Sequence, residues 1–211
     1  MSIPGRDEAA ALLLSLDPPA WHLRHSRAVA EVAAWLAARC EARRLPLDRR
    51  LVEAAALLHD VDKLLPATVR RDRRHGERGA RWLAARGWQE LAPAVAGHPV
   101  TRLADDAWYA AWRDAASLEE RIVAYADKRA GQRLEPMAER FASWERRYPP
   151  RDDAGGRSGG WSRATMAAVR SRATTLEADV CAAAGTDPDA VRRLRWTGSA
   201  LAAARRRAVA A

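Results

Sequence analysis

Residues 48–63 read DRRLVEAAALLHDVDK. Asp48 is a helix-capping residue, and Val52, Ala55 and Ala56 recur at helical spacing behind it. The same stripe, carried forward one turn, lands on His59, and the helix is expected to end near His59-Asp60. An apolar face that finishes in an imidazole and a carboxylate points both toward the core. A buried carboxylate costs on the order of several kcal/mol unless something positive pairs with it. The partner has to come from elsewhere in the chain.

Working outward, helical periodicity continues in both directions and no segment alternates cleanly as a strand would. A short helix is expected near Asp7–Leu16, stopping before Asp17-Pro18-Pro19, and a long one over about Ala20–Arg43. Downstream, a helix over His75–Arg86 closes at Gly87, and another over Gln89–Gly97 stops before Pro99. Ser117-Leu118-Glu119-Glu120 forms a capping box opening a helix to Gly131, and a further helix covers Pro136–Arg147. Residues 64–74 and 99–117 read as loops. Gly155-Gly156 and Gly159-Gly160 mark 151–162 as a flexible linker. Two more helices follow, about Arg163–Ala184 and Asp189–Val209, with Thr186-Asp187-Pro188 supplying a cap and a first-turn proline. The expected architecture is all-α: a helical bundle over 1–150, a Gly-rich linker over 151–162 and a C-terminal helical hairpin over 163–211.

The 211 residues suffice for one sizeable core. A net charge of +9 would ordinarily point to a polyanionic partner. Here Lys63 and Lys128 are the only lysines, asparagine is absent, and arginines are scattered through every helix. That pattern looks like the codon bias of a GC-rich genome, so nucleic acid is not the favoured partner. Cys40 and Cys181 lie far apart and form neither a CxxC pair nor a disulfide framework, which suits a reducing cytoplasm. The apolar run Ala9–Leu14 is too short to span a membrane and lacks the features of a signal peptide.

The five histidines carry the chemistry. His25 extends backward the stripe Val29, Val32, Leu36, Cys40, and His59 ends its own stripe. His75 shares a face with Gly79 and Trp82, and His98 with Leu91, Ala94 and Val95. Ile122, Val123 and Ala126 surround Asp127. A single histidine on an apolar face is more often a hydrogen-bonded core residue than a ligand. Four histidines and an aspartate from five helices, all turned inward, need a different account. A divalent metal pairs the carboxylates of Asp60 and Asp127, and neutral imidazoles are its commonest partners. His22, three residues before His25, lies on a neighbouring face and reads as a supporting or surface residue. Trp108 and Trp112 are candidates to border a pocket.

This order of residues resembles the HD-domain metal-dependent phosphohydrolases, defined by H…HD…D. His75 and His98, lying between the HD pair and Asp127, resemble the dinuclear branch, which includes HD-type hydrolases of diadenosine tetraphosphate. The resemblance rests on Ala55-Ala56-Leu57-Leu58-His59-Asp60, His75-Gly76-Glu77-Arg78-Gly79-Ala80 and Ala126-Asp127-Lys128, and covers about 20–135. It implies that His25, His59, Asp60 and Asp127 hold one metal, and His75 and His98 a second, with Asp60 bridging. Mixed nitrogen and oxygen ligands suit iron or manganese foremost, then cobalt, nickel or zinc. Two such ions would activate water to attack a phosphate ester or anhydride of a nucleotide or dinucleoside polyphosphate. Lys63 is the candidate cation beside Asp60, and Arg129 and Arg133 are candidates to clamp phosphate. Asp62 departs from the usual small residue at its position; it can act at the outer edge of the site or pair with Lys63.

Two other readings use the same residues. A di-iron oxygenase could take all six ligands, and a nucleic-acid or partner-binding helical module could hold a structural metal.

Overall fold

The computed structural model describes residues 3–66, 74–150 and 161–210. Among the described residues ten α-helices run in chain order: α1 (Arg6–Ser15), α2 (Ala20–Ala42), α3 (Arg49–Leu58), α4 (Glu77–Ala84), α5 (Ala92–Gly97), α6 (Asp106–Ala115), α7 (Leu118–Arg129), α8 (Met137–Arg147), α9 (Arg163–Ala184) and α10 (Thr197–Ala210). Among the described residues no strand forms, only a single bridge between Ala130 and Leu134. The fold is all-α, and among the described residues no helix is long and apolar enough to cross a membrane. Most of the linker expected over 151–162 lies outside the described residues, as does most of the loop 64–74.

The caps follow from the sequence. Asp48 accepts from the amide of Leu51 at 3.1 Å, and Ser117 and Glu120 close a reciprocal capping box at the start of α7. Helix α2 lies at the centre of the bundle. Ala28, Val29, Ala30, Val32, Ala33, Ala34, Leu36 and Ala37 are all fully buried, so it is apolar around most of its circumference. The small side chains let α3 and α7 come close to it, and Ala54, Ala55 and Ala56 are buried in one core with Ile122, Val123 and Ala126. Enlarging any of these alanines would overpack the core at a cost of about 1–3 kcal/mol.

Three segments differ from the sequence expectation. Residues 99–117 are not a loop: they form a 3-10 turn over Val100–Ala104 and then α6, whose cap Asp105 accepts from the amide of Trp108 at 3.0 Å. The helix after His75 begins only at Glu77 and ends at Ala84. Instead of one helix over Asp189–Val209, the chain makes a short 3-10 turn at Pro188–Ala190, runs extended, and enters α10 at Thr197. The extended stretch is held by tertiary bonds: the Leu194 amide donates to the Glu31 carbonyl at 3.0 Å, Arg193 pairs with the Glu31 carboxylate at 2.5 Å, and Trp196 sinks into the core. Helix α10 then packs on α1, with Arg207 pairing with Asp7, while α9 packs on α7 and α2.

Candidate metal centre

Five elements aim six side chains at one point in the bundle. The second turn of α2 supplies His25, the end of α3 supplies His59 and Asp60, and the turn before α4 supplies His75. The end of α5 supplies His98, and α7 supplies Asp127. His59 and His98 are almost completely buried, as is Asp60, whereas His75 keeps 29% of its side chain exposed. The turn at His75 depends on Gly76, which has φ +85° and whose hydrogen faces Pro99 so closely that a Cβ would lie 2.8 Å from the proline ring. That close approach and the positive φ explain why the helix starts after His75 and not at it.

The ring nitrogens divide their work. His25 donates from Nδ1 to the Gly131 carbonyl at 2.7 Å, His59 to Ala56 at 2.8 Å and His98 to Val95 at 2.7 Å. A carbonyl can only accept, so these bonds fix the proton on Nδ1 and leave the Nε2 lone pair pointing inward. His75 donates from Nδ1 to Asp62 at 2.9 Å. The four Nε2 atoms then meet in two pairs, His25 with His59 at 3.0 Å and His75 with His98 at 3.2 Å. Two lone pairs that close repel unless a cation lies between them. Ligand atoms bound to one ion at about 2.0–2.1 Å lie roughly 3 Å apart, so the spacing suits a first-row metal.

Asp60 joins the two halves. Its Oδ2 lies 3.3 Å from His25 Nε2 and 3.6 Å from His59 Nε2, and its Oδ1 lies 3.2 Å from His75 Nε2 and 3.4 Å from His98 Nε2. Asp127 Oδ1 approaches only the first pair, at 3.4 Å from His25 and 3.7 Å from His59. Two groups, His25–His59–Asp60 and Asp60–His75–His98, are thus close enough to hold metal.

Without a metal, protons take up the same role. Burial works against a charged His25, but Asp127 and Asp60 outweigh it and raise its pKa to about 10. His75 is treated likewise by Asp60 and Asp62 and rises to about 9. His59, with full burial dominating, falls to about 3, and burial lowers His98 as well. Asp60 and Asp127 resist the upward push of burial because the facing imidazoles hold them far below the usual carboxylate range. Each pair therefore combines one imidazolium with one neutral imidazole.

Other residues support this cluster. His22 is fully buried; its Nε2 lies 3.2 Å from the Asp60 carbonyl, so it holds the backbone of Asp60 and supplies no atom to the cluster. Asp62 is fully buried and bonds His75, the Gly76 amide at 3.1 Å and Arg78 at 3.3 Å, and not Lys63. It orients His75, as a carboxylate behind a metal-facing histidine does. Lys128, fully buried, donates to the carbonyls of His98 and Ala124, each at 3.0 Å, and burial lowers its pKa to about 8.

The cluster opens into a cleft of about 570 Å³, within the size range of small-ligand sites. Lys63 lies on its wall and donates to Asp60 Oδ2 at 2.7 Å, and Arg133 lies there too. Arg129 points the other way. Its buried guanidinium bonds the Glu135 and Pro188 carbonyls, the Tyr125 hydroxyl and Glu177, tying α7 to α9. Trp108 and Trp112 stack on each other with centroids 5.4 Å apart and do not line the cleft. The outer wall comes instead from Arg140, Trp144 and Arg147 on α8, with Tyr148 just beyond it. Spacings of four and three residues put Arg140, Trp144 and Arg147 on one helical face, a signal present in the sequence.

The fold and this cluster define an all-helical protein with a histidine–aspartate centre able to hold metal. The sequence model of the HD domain matches residues 23–131, and all six converging residues fall inside the match. The chain belongs to the HD-domain family, whose members are in general metal-dependent phosphohydrolases. No curated protein and no solved structure matches the chain.

Proposed function

We propose that the protein hydrolyses a phosphate ester or anhydride of a nucleotide or dinucleoside polyphosphate, with two divalent transition-metal ions, iron or manganese foremost, held by the six residues. The observation that carries this reading is the pair of inward-facing Nε2 couples on either side of Asp60. His25, His59, Asp60 and Asp127 would hold one ion, and His75 and His98 the other with Asp60. When bound, such ions supply an activated water and polarise a phosphoryl oxygen. Asp60 keeps the two halves in register through its two oxygens, and His22 keeps Asp60 in place. Lys63, already beside Asp60 and 41% exposed, extends toward the cleft to receive charge that develops on phosphate. Arg133 adds a second cation at the rim. Asp62 holds His75 by its far nitrogen, so the near one stays aimed inward. The two cysteines are buried free thiols, which suits the cytoplasm.

The test is a screen for phosphate release over nucleotides and dinucleoside polyphosphates with metal-loaded protein. Release from at least one, abolished by chelator, is expected. An inert result with metal bound, or oxygen uptake by iron-loaded protein in place of phosphate release, would contradict the reading.

A further inference from the structure

Among the described residues, the large apolar side chains left exposed are Trp21, at 47%, and Tyr148, at 53%. Both line the cleft that holds His25 and Asp60. Scattered exposed aromatics are ordinary on a protein surface; two at the mouth of one charged cleft are not scattered. Each also lies close to a proline pair, Trp21 two residues after Pro18-Pro19 and Tyr148 directly before Pro149-Pro150. Trp21 is on the first turn of α2 and Tyr148 is restricted by the proline that follows it, so both rings are carried on stiffened backbone and little backbone freedom is lost when a ligand orders them. Tyr148 is further held by its amide, which donates to the Trp144 carbonyl at 2.7 Å.

Trp21 precedes His25 by four residues on α2, so the two share a face about 6 Å apart along the axis. Its ring meets the edge of His22, which bonds the Asp60 carbonyl. Cations line the same cleft. Arg140 packs its guanidinium over Trp144 at 5.2 Å, and its Nε is buried without a hydrogen-bond partner while the side chain lines the cleft. Stacking surface, cationic donors and carboxylate–imidazole ligands in one cleft match the parts of a nucleotide.

We infer that the cleft mouth is a nucleobase subsite, in which Trp21 and Tyr148 stack a base whose phosphate chain passes Arg140 toward Asp60. The inference rests on the phosphohydrolase reading of the inner end and adds to it a requirement for a base. A base-free phosphate can use the cations but not the rings.

The test is calorimetric titration of the purified protein with two ligands whose P–C–P bridge resists hydrolysis: α,β-methylene-ADP, and methylenediphosphonate, which lacks the nucleoside. Trp21→Ala and Tyr148→Ala should each weaken α,β-methylene-ADP by about 5- to 150-fold, the usual value of one stacked base. Trp21→Phe, which keeps a ring, should recover most of that loss, and methylenediphosphonate should bind all variants as it binds the parent. Equal losses for both ligands, or no loss for either, overturn the subsite. A phosphate-release screen run on the same preparations separates the two claims. Base-selective binding with no ester hydrolysed would overturn the hydrolase reading and leave the subsite standing. Hydrolysis with α,β-methylene-ADP binding unmoved in the variants would do the reverse.

Discussion

Replacing Asp60 by Asn removes one charge at the centre of the cluster and keeps its shape. In the metal-free protein this carboxylate faces two imidazoles held protonated, His25 with a pKa of about 10 and His75 with a pKa of about 9. Both lie above the unfolded value of 6.5. Their contribution to stability is therefore complete below about pH 6.5 and is lost as pH rises through 9 and 10. Asp60 itself is shifted down, so its contribution is present above about 3.8 and is lost only in stronger acid. The pairing is whole between about pH 4 and 6.5. Removing one partner of a buried pair costs about 3–5 kcal/mol; with Asp127 and Asp62 still present, the lower end, about 3 kcal/mol, is expected for Asp60→Asn at pH 6. At pH 10.5 the imidazoles are mostly neutral in the parent too, and the penalty should shrink below about 1 kcal/mol. The Lys63 pair, partly exposed and screened, changes this little. Urea unfolding of chelator-treated parent and variant at the two pH values measures the difference. An equal or larger penalty at pH 10.5 would refute the assignment of protons to His25 and His75.

Three further outcomes follow from particular contacts. Asp62→Ala frees His75 from its orienting bond and should weaken uptake of the ion on the His75–His98 side by about 10- to 100-fold, measured by metal titration, with helical content retained. Lys63→Ala should leave metal content as it is and lower turnover by an amount equivalent to about 2–4 kcal/mol of barrier; unchanged turnover would assign Lys63 to the surface. Arg129→Ala should leave KM in place while lowering the melting temperature, since it removes the bonds to two part-buried carbonyls and to Glu177, at a cost of about 1–3 kcal/mol; a raised KM with normal stability would return Arg129 to the cleft.

Much of the centre was legible because it is written as helix faces. His25, His59 and His98 each continue an apolar stripe, and a residue in line with buried neighbours must itself turn inward. The ends of α2, α3 and α7 were legible from Pro19, Asp48 and Ser117. What escaped depends on contacts between distant segments. Nothing near Arg129 says that it faces Glu177, forty-eight residues on, and not the cleft. The late start of α10 is set by Glu31 reaching Leu194, Arg193 and Thr197, a bond set that local propensity does not record. Helix α6 was readable from the cap Asp105 and from Trp108, Tyr109 and Trp112 at helical spacing, which bury Tyr109 and Trp112 on one face. The cleft wall on α8 could be recognised as a face but not placed, because the turn 130–135 decides where it lands.

Anomalous diffraction from crystals of protein purified without added metal tests the central claim most directly. The account predicts two peaks in the cluster, one beside His25, His59 and Asp127 and one beside His75 and His98, about 3.5–4 Å apart with Asp60 between them. A single peak at the first position would reduce the centre to a mononuclear site. No peak at either, after soaking with manganese or iron, would contradict the account.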